Sequence, residues 1–422
     1  MKNALYLLVL FFSFSVFAQT TTDSFKSAKL GGNRDIKVKL PASYEKNVEK
    51  KYPLILVLDS EFLFDPFAGN ISYANYWDDM PEVILVGINQ NKNNEREEDS
   101  DFDPRTGLPG GKGAAFFEFI GTELLPHLET KYRIAPFKVI AGLDLTAGFL
   151  NSYLYKDMPI FQGYISFSPE LATNMETRIP QRLATAKEPI FYYHATAEGD
   201  LKKMRARINA LNENMKTVKN ELVNYKFEEF KGGSHYSIPI NGIPSALYQF
   251  FEVYRPISSI EYQEKIAPLK EGFVVYLNKK YEMIEKGLGI KMNVRINDFK
   301  AIETAIIKNE AWNEYEELAQ ISGQQYEKTL LYDYHMGNYW EKRKELKRAI
   351  KCYQDGFTKQ EIAGITKDMM MNKAEDLKAL LPKKEKLKGG KAKGEVITEE
   401  APATDTPVET PTEAPTEEKK PE

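Results

Sequence analysis

Phe137-Lys138-Val139-Ile140-Ala141-Gly142-Leu143-Asp144-Leu145-Thr146-Ala147-Gly148 is the stretch on which the fold turns. Its apolar first half reads as a buried strand, its centre as a sharp turn and its small, apolar end as the start of a helix. A strand-turn-helix of this kind with the pattern Gly-x-Ser-x-Gly lifts a nucleophile above a sheet, the flanking glycines leaving room for the crest residue. Here the crest is a carboxylate, in the pattern Gly142-x-Asp144-x-Thr146.

Outward from this turn, short apolar strands alternate with amphipathic helices, the signature of a mostly parallel sheet covered on both faces. Strands are expected at 53–59, 82–88, 138–142, 163–167, 189–194 and 222–230, and helices at 114–131, 147–155, 201–216 and 244–253. Residues 89–113 read as a long acidic Gly/Pro loop, and loops of that length in compact domains usually serve function. Arg96 and Arg105 in it are candidates to meet an anion. Asp99, Asp101 and Asp103 alternate like the opening of a calcium loop, but the required glycine and closing glutamate are missing. No metal site and no cofactor is expected.

Two further segments can complete a catalytic set. Lys231-Gly232-Gly233-Ser234-His235 follows a strand and precedes a helix, where a general base is carried, and Ala195-Thr196-Ala197-Glu198-Gly199-Asp200 opens from another strand with two carboxylates. The order nucleophile, acid, base is then Asp144, Glu198 or Asp200, and His235. Ser60, Ser166 and Ser168 lie on no such turn, and Ser168 before Pro169 reads as a loop residue. His127, His194 and His335 read as packed or exposed side chains rather than ligands.

With these residues placed, 52–255 resembles the exported putative esterase family, relatives of the enterobactin-esterase branch of the α/β-hydrolases. The resemblance is carried by Tyr52-Pro53-Leu54, Leu58-Asp59-Ser60-Glu61, Val86-Gly87-Ile88, Glu123-Leu124-Leu125-Pro126 with Tyr132-Arg133, the 137–148 turn, and His235-x-Ser237-x-Pro239. It implies an α/β-hydrolase fold with a serine elbow and an oxyanion hole at Ser60 and Leu145. The departures fall in the active site. Gly-His-Ser-x-Gly-Gly is expected at 142–147, and this chain has Leu143, Asp144 and Thr146-Ala147; the expected Leu-Asp-Gly turn reads Leu58-Asp59-Ser60. A side chain at 146 is expected to crowd the turn. Asp144 resembles the elbow aspartate of haloalkane dehalogenases and epoxide hydrolases, without the Trp-Gly that follows it there.

From 257 to 381 strand signals vanish and helical periodicity takes over. Gly337, Trp340, Ala349, Tyr353 and Gly356 have the spacing of one tetratricopeptide helix pair, which also often follows the hydrolase domain in that family. The expected organisation is a signal peptide at 1–18, an α/β-hydrolase domain at 19–256, a tetratricopeptide-like domain at 257–382, and a tail at 383–422, Lys-rich and then Pro/Thr/Glu-rich. Lys2, the apolar run from Ala4 to Phe17 and Val16-Phe17-Ala18 before Gln19 are the grounds for export, to the periplasm or the outer membrane. The single cysteine, Cys352, excludes an internal disulfide.

The 422 residues carry 42% hydrophobic and 28% charged residues with a formal net charge of -4. That balance builds cores and gives no footprint for nucleic acid. Changes at the nucleophile, its neighbours and the oxyanion turn together favour a non-catalytic interaction or scaffold protein of the cell envelope, binding a protein partner through the helical domain, with peripheral membrane contact through the Lys-rich segment. The alternative is a hydrolase of esters or related substrates using Asp144 as nucleophile with His235. Oligomeric state is not legible.

Overall fold

A computed structural model describes residues 20–382; the expected signal peptide and the tail at 383–422 lie outside the described residues. Eight strands form one sheet in the order β1-β2-β4-β3-β5-β6-β7-β8. They are β1 (Thr20–Ser27), β2 (Gly32–Lys39), β3 (Tyr52–Val57), β4 (Ile84–Ile88), β5 (Ile134–Leu143), β6 (Gly163–Phe167), β7 (Ile190–Gly199) and β8 (Val223–Ser234). From β4 across to β8 the strands are parallel, while β2 runs antiparallel to β4, and β1 to β2.

Because successive side chains on a strand face opposite ways, the central strands supply two apolar layers. Leu54 and Leu56 of β3 join Ile84, Val86 and Ile140 beneath one set of helices. Ile55 and Val57 join Val139, Ala141 and Ile165 on the other face. Each such side chain taken fully from water contributes about 1.5–3 kcal/mol. This is the α/β-hydrolase arrangement expected from the sequence.

The helices that cover the sheet are α1 (Ser60–Tyr76), α2 (Glu95–Asp99), α3 (Gly111–Glu118), α4 (Leu125–Lys131), α5 (Leu145–Leu150), α6 (Met175–Ala184), α7 (Lys202–Met215) and α8 (Ile238–Phe250). Three differences from the sequence expectation share one cause. α1 and α6 were not foreseen and α8 begins six residues before the expected 244, and each holds a proline inside its span, at Pro66, Pro180 and Pro244. Proline marks a helix boundary in isolation, and tertiary packing overrides it here. The expected helix at 114–131 is α3 and α4 joined by a π-helical turn, Phe119–Leu124, that precedes Pro126. The 89–113 loop contains α2. β1 and β2 were also missed, since β1 is exposed along most of its length and shows no apolar alternation.

Past the sheet the chain is all helical, with α9 (Phe273–Leu288), α10 (Ile296–Asn309), α11 (Trp312–Gln325), α12 (Leu331–Lys342), α13 (Leu346–Asp355) and α14 (Lys367–Ala379). This region is not a detached module. Ile284 and Leu288 of α9, with Ile290 after it, belong to the apolar layer of Ile55 and Val57. Arg295 donates to Asp78 at 2.8 Å and to the Tyr254 carbonyl at 2.7 Å.

Candidate active site

Asp59, Asp144, Ser168, Asp200 and His235 all follow the carboxyl ends of strands, the edge of a parallel sheet where α/β proteins build their sites. Asp144 stands between β5 and α5 at φ 62° and ψ −115°. A side chain held there stores strain of order 1–3 kcal/mol. The Asp144 N–H donates to the Phe167 carbonyl, and its own carbonyl accepts from the N–H groups of Gly148 and Glu170, all at 3.0 Å. At Gly148 a Cβ would lie 1.9 Å from the Glu170 carbonyl oxygen, so glycine is obligatory where the turn packs against β6's exit. The elbow therefore keeps its backbone form although its crest residue has changed.

His235 and Asp200 form a hydrogen-bonded pair, His235 Nδ1 to Asp200 Oδ1 at 2.7 Å. Asp200 is buried and also accepts from Ser168 Oγ at 2.7 Å, Thr196 Oγ1 at 2.6 Å and the Leu201 N–H at 2.8 Å. Burial disfavours its charge, but the bonds from His235, Thr196 and Ser168 outweigh it and hold the carboxyl below its ordinary pKa. The Asp200 hydrogen bond in turn holds the His235 imidazole above its ordinary value against burial, and the Asp144 charge adds to the rise. Of the two candidate acids, the structure brings Asp200 to the histidine. Glu198 is exposed and accepts from the Gly232 N–H at 3.0 Å instead.

The 89–113 segment enters the site through Arg96 on α2. Its guanidinium binds Asp59 at 2.7 Å, donates to the Leu143 carbonyl at 2.9 Å, and lies 3.5 Å from Asp144 Oδ2. Burial works against this charge, and Asp59 with Asp144 overcomes it. Asp59 is itself fully buried, which raises its pKa despite Arg96. Arg105, the other candidate, is exposed and pairs with Asp103. α2 is anchored by a buried ion pair of Asp99 with Arg34, and Gln90 links Asp99 at 3.0 Å to the Asp59 N–H at 3.2 Å. Arg96 is thus held by a continuous network.

Two sequence readings need correction. Thr146 does not crowd the turn; its hydroxyl donates to Asp59 at 2.6 Å and accepts from the Leu143 N–H at 3.1 Å, bracing the β3 exit against the elbow. Ser168 is more than a loop residue. Fully buried at φ 40°, it lies 3.2 Å from His235 Nδ1 and supports the Asp200 pair from the end of β6, the strand next to the elbow strand. Its position after a strand, like that of Thr196 before Asp200, was the only signal available in the sequence. Ser60 opens α1, with its hydroxyl bonded to Asn89, and Leu145 opens α5. Both therefore lie in the first turn of a helix, where backbone N–H groups have no intrahelical acceptor.

Ser166 binds the Ala147 carbonyl at 3.0 Å within the core. His194 is buried and bonded to Tyr225 at 2.7 Å, and burial drops its pKa to about 3. His335, buried against Ser322 at 3.0 Å, is likewise pushed down to about 3. His127 packs edge-on against Phe25. Among the described residues, no group of three or more His, Cys, Asp or Glu side chains is placed to hold a metal ion.

The family model described as "Putative esterase" matches residues 27–238. An uncharacterised protein from Capnocytophaga ochracea DSM 7271 is 30% identical, with a TM-score of 0.78 over 86% of this chain and 100% of that chain, a span that reaches into the helical region. An IroE-like serine hydrolase from Shewanella oneidensis is 18% identical, with a TM-score of 0.54 over 72% of this chain and 99% of that one, and shows the shared fold alone. No curated protein matches the sequence.

Proposed function

Since the chain belongs to the putative esterase family, we propose that it is a member that has left ester hydrolysis and acts as a non-catalytic interaction or scaffold protein of the cell envelope. One observation carries this reading. The crest of the elbow is a carboxylate paired with Arg96, itself fixed to Asp59 and to the Leu143 carbonyl. An acyl group passed to a carboxylate gives a mixed anhydride, which is more reactive than the ester it came from. The step that makes a serine elbow useful is therefore uphill at Asp144. Pairing with Arg96 also stabilises the anion against attack.

In this reading the interaction surface lies on the helical region. α12 and α13 approach so closely that a Cβ at Gly337 would lie 2.2 Å from the Tyr353 ring, a close packing of two helices that supports reading them as a repeat-like pair. The envelope location rests on residues 1–18, and the partner is a protein of that compartment.

The intact Asp200–His235 pair favours a second reading, in which Asp144 attacks an alkyl carbon and not an acyl carbon. Its oxygen would displace a halide or open an epoxide to form an alkyl ester. His235 would then take a proton from water, which attacks the Asp144 carboxyl carbon and releases the alcohol. Both readings agree on carboxylic esters. The full exported chain should hydrolyse nitrophenyl acetate and butyrate at the same rate as its His235→Ala variant, whereas a triad hydrolase loses orders of magnitude with its base. A clear His235-dependent rate on these esters would refute the proposal.

A further inference from the structure

At the amino ends of the parallel strands, the edge of the sheet opposite Asp144, lies a cavity of about 560 Å³. Its walls come from Lys39 and the residues just after β2, from the last turn of α1, and from the residues leading into β4, with Tyr254 on one side. The floor is apolar. Ile71, Met80, Val83 and Leu85 belong to the hydrophobic layer that α1 shares with the sheet, and Leu40 and Ala42 carry the apolar wall outward toward solvent. The volume lies within the roughly 300–1,000 Å³ of small-ligand sites.

Four charged side chains stand around this cavity, and one of them has no counter-charge. Glu82 accepts from Lys50 Nζ at 2.8 Å and from the Ser43 N–H at 2.9 Å. Asp78 accepts from the Arg295 guanidinium at 2.8 and 3.1 Å and from the Tyr254 hydroxyl at 3.0 Å. Both carboxylates are therefore taken, and Lys39 is left over. Half-buried and opposite Leu85 in the β2–β4 register, it lays its stem along the apolar wall while its ammonium reaches out. Lys39 Nζ donates to Ser72 Oγ at 3.0 Å. That bond uses the Ser72 oxygen as acceptor and leaves its proton to donate.

One ammonium and one hydroxyl beside an apolar floor match a monoanion with a hydrocarbon body. A carboxylate head takes a charge-assisted bond from Lys39 and a second bond from Ser72, while its chain covers the Ile71, Val83 and Leu85 side of the cavity. The second charge of a phosphate monoester would find no second free cation here, and an alkylammonium head would meet Lys39 with like charge. We propose that this cavity is a binding site for a medium-chain carboxylate, its head on Lys39 and its chain along the apolar floor. The assignment does not depend on whether the elbow is silent.

Calorimetric titration of the full chain with octanoate, decanoate and decylamine, each below its micelle-forming concentration, tests this. Decanoate should bind, and tighter than octanoate by about fourfold for each added CH₂, the change equivalent to about 0.8 kcal/mol per buried methylene. Decylamine should not bind. Lys39→Gln, which removes the cation, and Ala42→Asp, which sets an anion at the rim, should each weaken decanoate about tenfold or more. Neither change touches the packed core, so the variants keep their fold, which an unchanged melting temperature verifies. Asp144→Asn should bind decanoate as the unchanged chain does. No decanoate binding, equal binding of decylamine, binding untouched by Lys39→Gln, or binding lost in Asp144→Asn would each overturn the assignment.

Discussion

Asp144, Arg96, Asp200 and His235 each take their character from a neighbour. Asp200 sets the His235 charge, and Asp144 contributes less. By NMR, the His235 imidazole should titrate above a free histidine; Asp200→Asn should lower that value, and Asp144→Asn should lower it by a smaller step. Because the folded pKa lies above the unfolded one, His235 adds stability that is fully present below its unfolded pKa of about 6.5 and is lost as pH rises through the folded value. Urea unfolding should therefore show the unchanged chain losing more stability between moderately acid and moderately alkaline pH than Asp200→Asn does. Equal losses would mean that Asp200 does not govern this histidine. Asp144 and His235 were legible in the sequence because each sits in a local pattern of turn and flanking residues. The choice between Glu198 and Asp200 was not, since it depends on the register shift between β7 and β8 from Ala197–Phe230 to Gly199–Ser234, which the sequence does not reveal. Nor was the Arg96 contact with Asp144, which needs α2 to fold back over the end of β5.

At the level of elements, glycines separate local propensity from packing. Gly337 lies inside α12, where alanine would gain about 1 kcal/mol of helix propensity. A Cβ there would lie 2.2 Å from the Tyr353 ring, so Gly337→Ala should instead destabilise the chain by about 1–3 kcal/mol, the usual range for overpacking. Gly287 in α9 has nothing within 4 Å of the same added atom, so Gly287→Ala should stabilise by about 0.5–1 kcal/mol. Thermal or urea unfolding of the two variants should move in opposite directions, and a stabilised Gly337→Ala would show that α12 and α13 are not in this contact. The buried parallel strands were readable as continuous apolar runs, since both of their faces are covered. The exposed β1 and the proline-containing α1 and α6 were not, because polarity and internal proline hide their periodicity from any local reading.

On the scale of the whole molecule, an α/β-hydrolase sheet, a hydrogen-bonded Asp200–His235 pair and a strand-turn-helix elbow surround an aspartate where the family's pattern has serine. The loss of strand signals near residue 256 revealed the start of the helical region. That α9 completes an apolar layer of the sheet was not readable, because α9 has the same amphipathic pattern whether its partner is a helix or a sheet. The helical region therefore stabilises the hydrolase fold it follows. The central claim is that Asp144 performs no nucleophilic chemistry. Incubation of the full chain in ¹⁸O-labelled water with nitrophenyl butyrate, an epoxide and a haloalkane, followed by mass spectrometry of the peptide containing Asp144, tests it directly. The account predicts no label in that carboxylate. Label that accumulates with substrate and disappears in His235→Ala would contradict it.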